Sequence, residues 1–247
     1  MKDLRNTRNG TNPEEKQMTK PCRQSDMSVW KLPAHVYTAL LASLMLVVAV
    51  NTMGDQIHDA VKANDLERVE RLMAIAEERR GEPGLKDLLN RREGRVDRGM
   101  TPVQLAAMDG RAAMIRLLTE TGVVDVDAVV ILPQPWGVKG TALNLAVIGC
   151  YVGAIKALLQ AGADPNGNSV FPPVVQALGD GHVECVMALL EGGTNVDLMV
   201  RAGRRELSVL DIARRRLDYF IDRYTGSNRQ ENIDKYRGIV SAMEEQR

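Results

Sequence analysis

The sequence predicts an all-α solenoid built from stacked helix pairs. Its central part repeats one unit: a threonine that can cap a helix, a helix rich in small residues, a second helix with an apolar stripe, and a closing glycine. The unit runs from Thr101 to Gly122 and again from Thr141 to Gly162, and the threonine and glycine are 21 positions apart in both copies. Aromatic residues make up only 4% of the chain, as expected where thin helix pairs pack on alanine and leucine. Recurrence of one helical unit at a similar spacing is typical of a repeat protein.

A third copy of the unit runs from Pro172 to Asp197, and weaker copies begin near residues 55 and 208. The shared pattern resembles the ankyrin repeat, which opens on T-P-L-H-x-A and recurs at about 33 residues. The starts at 55, 101, 141, 172 and 208 are separated by 46, 40, 31 and 36 residues, so the array contains insertions. The resemblance covers residues 55–247 and implies about five repeats, joined by β-hairpin-like loops.

The first 54 residues differ from the array. Residues 1–34 are polar, lack an apolar period and carry seven basic against four acidic residues, which predicts a disordered tail with a net charge of +3. Residues 35–54 follow, and the stretch 36–50 contains no charged residue. With its flanks this stretch is long enough to cross a hydrocarbon core of about 30 Å. Met1 and Met27 are both candidate starts of the chain.

Three interpretations of the apolar segment remain open: an uncleaved membrane anchor, the core of a cleaved secretory signal, and a buried helix of a soluble protein. Both membrane interpretations keep the basic tail in the cytoplasm, because positively charged flanks favour that side. The repeats are then expected on the non-cytoplasmic side of a single-pass membrane protein. After cleavage they would be periplasmic or secreted.

The three cysteines are Cys22, Cys150 and Cys185. Their spacing matches neither a zinc site nor an even disulfide framework. We therefore interpret Cys150 and Cys185 as ordinary small buried residues. The formal net charge of the chain is zero, so composition gives no indication of nucleic-acid binding.

Local signals place the helices of the repeats. Thr101 is expected to cap the first helix of the second repeat, with Pro102 in its first turn, and Gly122 to end the second helix. Leu118 is expected to be buried between adjacent repeats. The last helix, over residues 231–245, carries an apolar stripe that can pack on the fourth repeat.

The fourth position of the repeat is a histidine only in the first copy, at His58. The resemblance implies that this histidine hydrogen-bonds neighbouring backbone and fixes the turn, a structural role. The other four copies have Gln104, Asn144, Val175 and Asp211. The turn hydrogen bond is therefore expected to be missing in four of the five copies, and hydrophobic stacking to carry more of the stability.

Two long insertions are expected to project from the array. In residues 81–100, Gly81, Pro83 and Gly84 break the helix, a short turn is expected over 85–89, and a basic hairpin over 91–100. In residues 128–139, Trp136 falls at the hairpin tip on a loop stiffened by prolines. It either anchors a partner or folds back over the neighbouring repeat.

The resemblance implies a non-catalytic module that binds another protein on its concave face and hairpin tips. Candidate contact residues are those in the repeats or the loops whose side chains are not needed for packing between helices. They are Arg92, Arg95, Arg98, Met108, Asp109, Trp136, Ile148, Asp180, Arg204, Arg205 and Arg215. Because arginines dominate this set, the partner is expected to have an acidic surface. These arginines could equally be solvated loop residues.

The sequence lacks a nucleophile elbow, a P-loop, a dinucleotide fingerprint and the cysteine spacing of a zinc site. We therefore expect no catalytic residue, no metal and no cofactor. A second hypothesis is an inhibitor or immunity-type protein that restrains another enzyme. An enzyme is the remote alternative.

Overall fold

The computed structural model describes residues 53–92, 99–132, 139–167, 171–202 and 205–247, all within one compact unit that spans residues 48–247. The first helix, α1, is described over residues 53–63. The other helices are α2 (Leu66–Asn90), α3 (Pro102–Met108), α4 (Ala112–Thr119), α5 (Ala142–Ile148), α6 (Val152–Gln160), α7 (Pro173–Asp180), α8 (Val183–Glu191), α9 (Val209–Asp222) and α10 (Arg229–Glu245).

The helices stack in two rows. In the inner row α3 packs on α5, α5 on α7 and α7 on α9, and in the outer row α2 packs on α4, α4 on α6, α6 on α8 and α8 on α10. The core between the rows is almost entirely aliphatic, with Leu118 of α4 among its fully buried side chains. Each pair buries one face against each neighbour, as expected in a solenoid. The prediction of an all-α solenoid of stacked helix pairs is confirmed.

The inner helices begin where the sequence predicts. At α3, Oε1 of Gln104 accepts from the N–H of Thr101 at 2.9 Å, and Oγ1 of Thr101 accepts from the N–H of Gln104 at 3.4 Å. This reciprocal pair is a capping box, which satisfies two amide groups at a helix start that lack partners within the helix. At α9, Oγ of Ser208 accepts from the N–H of Asp211 at 3.0 Å. Helices α3 and α9 therefore begin after the capping residues Thr101 and Ser208.

The expectation of a short turn over residues 85–89 is wrong. Gly81 does interrupt α2, with φ 64° and ψ −163°, but the chain then resumes helical structure and continues to Asn90. Leu85, Leu88 and Leu89 are buried in this second part of α2. Their spacing of three and four residues puts them on one face, so the insertion extends the core. The predicted basic hairpin falls mainly on residues 93–98, outside the described residues.

Within the described ranges, two antiparallel hairpins join neighbouring repeats. The first pairs β1 (Val130–Ile131) with β2 (Lys139–Gly140), and the second pairs β3 (Met199–Ala202) with β4 (Arg205–Ser208). The connection between α6 and α7 carries no strand among its described residues. Hairpin-like loops between helix pairs were expected, and these two match that expectation.

The inner helix of the C-terminal pair is longer than the inner helices of the three pairs before it. Helix α9 has 14 residues, whereas α3 and α5 have 7 each and α7 has 8. Phe220, in the part of α9 beyond the usual helix length, stacks on Tyr236 of α10 with ring centroids 5.2 Å apart. The buried stripe of α10 packs against α8 and α9, so the predicted contact with the fourth repeat is confirmed.

Tyr236 offers a test of this C-terminal packing. Its hydroxyl donates to the carbonyl oxygen of Leu178 at 2.6 Å in a buried environment. Tyr236→Phe keeps the ring but leaves that carbonyl unpaired, and we expect the free energy of unfolding to fall by about 1–3 kcal/mol. Urea denaturation measures the change, with Tyr219→Phe, whose ring is exposed, as the control. Equal stability of the two variants would mean that the hydrogen bond from Tyr236 to Leu178 does not stabilise the C-terminal packing.

Among the described residues, no helix is both long and apolar enough to cross a membrane. The predicted tail over residues 1–34 lies outside the described residues, as does the predicted apolar segment over residues 35–54 except for Met53 and Gly54. Both therefore stay predictions.

Candidate partner-binding surface

His58 has the structural role that the resemblance implies. Its side chain is buried, with Nδ1 2.7 Å from the carbonyl oxygen of Gly54 and Nε2 3.0 Å from that of Met100. The second contact crosses from the first repeat to the start of the next. His58 therefore holds two repeats in register.

The expectation that this bond is lost in the next two copies is wrong. The side-chain amide of Gln104 donates to the carbonyl oxygen of Ala128 at 2.6 Å, and that of Asn144 donates to Phe171 at 3.1 Å. Each bond again runs from an inner helix to the following connection. An amide side chain has an N–H donor of similar reach to that of imidazole, so glutamine and asparagine replace histidine here.

The last two copies do depart from this arrangement. Val175 has no side-chain donor, and the buried Gln176 beside it instead accepts from Asn144 at 3.2 Å. In the fifth copy the carboxylate of Asp211 lies 3.8 Å from Arg214. A hydrogen bond from Ser208 lowers the pKa of Asp211. For these two copies the expectation of a missing inter-repeat bond agrees with the structure.

A second ladder of side-chain bonds joins the loops that follow the outer helices. In each step a side-chain oxygen accepts the backbone N–H of the next loop. The steps are Asn90 with Asp125 (2.7 Å), Asp127 with Asp164 (3.1 Å) and Asn166 with Asn195 (2.7 Å). Burial raises the pKa of Asp127 although the N–H of Asp164 lowers it. The bases of consecutive connections are thereby held in one row.

Two arginines, Arg111 before α4 and Arg216 on α9, tie one repeat to the end of the preceding inner helix. Arg111 donates to the carbonyl oxygens of Val61 and Lys62 at the end of α1 and is held by Asp109 at 2.8 Å. In the same way Arg216 donates to a carbonyl oxygen at the end of α7. Asp109, a predicted contact residue, is therefore engaged in an ion pair that supports the fold.

The predicted contact residues fall into two separate groups. Met108, Ile148 and Asp180 are the last residues of α3, α5 and α7, so stacking brings them to one edge of the array. Arg205 lies in a hairpin that precedes an inner helix and belongs to the opposite edge. A helix of seven residues is about 10 Å long, so the two groups form no single cluster.

The remaining predicted residues have different positions. Arg92 donates to the carbonyl oxygen of Val129 at 2.6 Å, which ties the first insertion to the second. Arg215 is exposed on α9. Burial raises the pKa of Asp180, whereas His182 and Arg216 lower it. The predicted residues outside the described ranges are Arg95, Arg98, Trp136 and Arg204.

We call the edge of the array that carries the two hairpins, β1–β2 and β3–β4, the hairpin edge. Sequence reasoning missed the apolar side chains that are exposed there. Val129, Ile131 and Met199 are 37%, 44% and 57% exposed, although the core beside them is closely packed. Exposed cations lie on the same two hairpins, at Lys139 in the first and at Arg201 and Arg205 in the second. Strands of two to four residues are too short for an alternating pattern to reveal which side chains face solvent.

Cys150 and Cys185 are not independent buried residues, as we had expected, but form a disulfide. Their Cα atoms are 5.7 Å apart although 35 positions separate them in the sequence. Cys150 lies in the turn between α5 and α6, at φ 44°, and Cys185 is buried on α8. The bond therefore joins the third repeat to the fourth.

These features, together with the stacked helix pairs, define the class of protein. A family model described as ankyrin repeats (3 copies) matches residues 57–169, which include the first three repeats. None of the curated proteins compared with the chain matches it. The all-α solenoid of stacked helix pairs is consistent with an ankyrin array, and ankyrin repeats are generally protein–protein interaction modules.

Proposed function

We propose that this chain is a non-catalytic protein-binding module whose ankyrin array is tethered to a membrane or exported across it. The observation that carries the binding function is the uncovered apolar surface of the hairpin edge, above all Met199, which is 57% exposed. Val129 and Ile131 are exposed at the first hairpin and Met199 at the second, and large apolar side chains exposed beside polar ones often mark an interaction site. The predicted contact residues at the ends of the inner helices, such as Met108, lie on the opposite edge and would form a separate contact.

The interior of the array supports this use as a platform. His58, Gln104 and Asn144 fasten the first three inner helices to the connections that follow them, and the disulfide adds a covalent link. A surface that is already held in its binding conformation loses less conformational entropy on association. The rigid solenoid therefore favours recognition by a fixed surface over chemistry that needs moving groups.

A non-cytoplasmic location is supported by two independent features. Disulfides form and persist in oxidising compartments and are rare in the cytosol, and the array contains one between Cys150 and Cys185. Ahead of it lies the uncharged stretch 36–50 with a basic tail before it, a pattern that favours retention of the tail in the cytoplasm. We therefore propose that the repeats face the oxidising side.

The charge of the hairpin edge indicates the kind of partner. Lys139, Arg201 and Arg205 are exposed there, against Glu206 among the described residues of β1 to β4. A surface of one sign accelerates association with a surface of the opposite sign, and salt weakens this effect. We propose a partner with an acidic surface, bound faster at low salt than at moderate salt.

Crosslinking in cells followed by purification tests the binding function. The full chain should recover at least one protein that a chain without residues 55–247 does not recover. An unchanged set of recovered proteins would contradict the proposal. A recovered enzyme whose activity falls on mixing with the chain would identify the inhibitor or immunity-type role as its specific form.

Protease treatment of intact and opened cells tests the compartment. If the repeats face outward, protease should cleave them in cells whose outer barrier alone has been opened, while a cytoplasmic control protein stays intact. Membrane recovery after an alkaline wash then separates an anchor from a cleaved signal. Protection of the repeats until the cytoplasm itself is opened would contradict the proposed location.

A further inference from the structure

The second hairpin has one strand edge whose hydrogen-bonding groups point away from its partner strand. The N–H of Val209 donates to the carbonyl oxygen of Leu198 at 3.1 Å, in the register of the β3–β4 pair. Hydrogen-bonded and non-hydrogen-bonded positions alternate along an antiparallel pair. The backbone groups of Val200 therefore face β4, and those of Met199 and Arg201 face outward.

This edge of β3 lacks a neighbouring strand in the part of the chain that the structure describes. The connections 120–141 and 192–208, of 22 and 17 residues, each carry a hairpin, whereas the connection 161–172 between them has only 12 residues. The ladder of side-chain bonds keeps the bases of all three connections in one row. Among the described residues, the row of hairpins is therefore interrupted on the side to which β3 presents its edge.

The two faces of β3 differ in chemistry. Val200 is buried and continues the core, whereas Met199 and Arg201 lie on the other face and are exposed. A strand added beside β3 would therefore place every second side chain next to the core and the others next to Arg201. The first set fits apolar residues, and the second fits acidic ones because a cross-strand pair of opposite charges is favourable.

We infer that the outward edge of β3 binds an extended segment of the partner as an added strand, with apolar and acidic residues alternating along that segment. This inference rests on the proposed protein-binding function and specifies its partner. Backbone hydrogen bonds to Met199 and Arg201 supply affinity, and the alternation of side chains supplies selectivity, as in other cases of strand addition.

The test uses the full-length chain and a labelled synthetic peptide of ten residues that alternates valine and glutamate. We expect the peptide to bind by fluorescence anisotropy and to slow hydrogen exchange at the amides of Met199 and Arg201. A peptide that alternates valine and lysine should bind at least about tenfold more weakly, a difference of about 1.4 kcal/mol. Equal binding of both peptides, or no slowing at these amides, would overturn the inference.

Proline substitution separates strand addition from simple charge attraction. Arg201→Pro removes an outward N–H, and proline is tolerated in an edge strand where that group faces solvent, so the hairpin should persist. Binding of the valine–glutamate peptide should fall at least about tenfold. The matched variant Arg201→Gln keeps the backbone N–H. The valine–glutamate peptide should therefore still slow hydrogen exchange at Met199, while the affinity for the peptide should depend less on salt.

If Arg201→Pro disturbs the hairpin, Met199→Pro gives a second variant. The same fall in binding of the valine–glutamate peptide is expected for it. Undiminished binding by the folded proline variant contradicts the inference. If the peptide does not bind but crosslinking still recovers a partner through residues 55–247, the strand-addition inference fails and the proposed function stands. If deletion of residues 55–247 changes no recovered protein, the proposed function itself fails.

Discussion

Leu118→Ala is expected to lower the free energy of unfolding by about 2–5 kcal/mol, the usual cost of truncating a buried leucine. Leu118 is fully buried in α4, which packs on α2 and α6 of the neighbouring repeats. The substitution therefore removes apolar atoms from the core to which α4 contributes. Because nearest-neighbour interfaces stabilise a solenoid, amide hydrogen exchange in α6 should also accelerate.

Leu117→Ala is the matched control for this substitution. Leu117 precedes Leu118 on the same helix but is only partly buried, so the same chemical change should cost less. Urea unfolding of both variants measures the difference. A loss below about 0.5 kcal/mol for Leu118→Ala, the range of surface substitutions, would mean that the register of the second repeat is wrong.

Loss of the Cys150–Cys185 disulfide is expected to lower the free energy of unfolding by about 2–4 kcal/mol. The bond closes a loop between residues 35 positions apart. It therefore restricts the conformations of the unfolded chain and lowers the entropy gained on unfolding. Cys150→Ala and reduction of the unaltered chain should give similar losses in urea unfolding. If a reductant leaves the midpoint of the unaltered chain unchanged, the disulfide does not stabilise the array.

Cys150→Gly gives a comparison that separates the bond from the backbone. Cys150 has φ 44°, in the left-handed region where a residue with a Cβ is disfavoured by about 1–2 kcal/mol. Cys150→Gly loses the disulfide but not the turn, so it should be more stable than Cys150→Ala by about that amount. A glycine variant less stable than the alanine variant would contradict the assigned turn conformation.

Features with a local cause were predictable from the sequence. The start of α3 follows from Thr101 and Gln104, since a capping box depends on residues three positions apart. The register of the repeats and the burial of Leu118 follow from helical spacing of apolar residues. These signals recur in several copies, which is why the fold could be predicted from end to end of the array.

Features that depend on the assembled fold were not predictable. Cys150 and Cys185 become neighbours only because α5–α6 and α8 stack, and their spacing carries no sign of it. The replacement of histidine by Gln104 depends on where the carbonyl oxygen of Ala128 lies.

The residues of the candidate site were also only partly predictable from the sequence. Exposed residues such as Met199 were missed because strands of two to four residues give too few positions for a pattern. Arg92 was predicted as a contact residue because it belongs to the predicted basic hairpin, and Asp109 because it lies just before the turn between two helices. Their partners within the fold, Val129 and Arg111, come from distant or turn positions that spacing alone does not connect.

A photo-crosslinking residue placed at Met199 tests the central claim most directly. The matched control places the same residue at Arg116, which is exposed on the outer helix α4. If the array binds another protein through its hairpin edge, irradiation in cells should give a protein adduct from position 199 and little or none from position 116. Adducts of equal yield from both positions, or an adduct from position 116 alone, would contradict the claim.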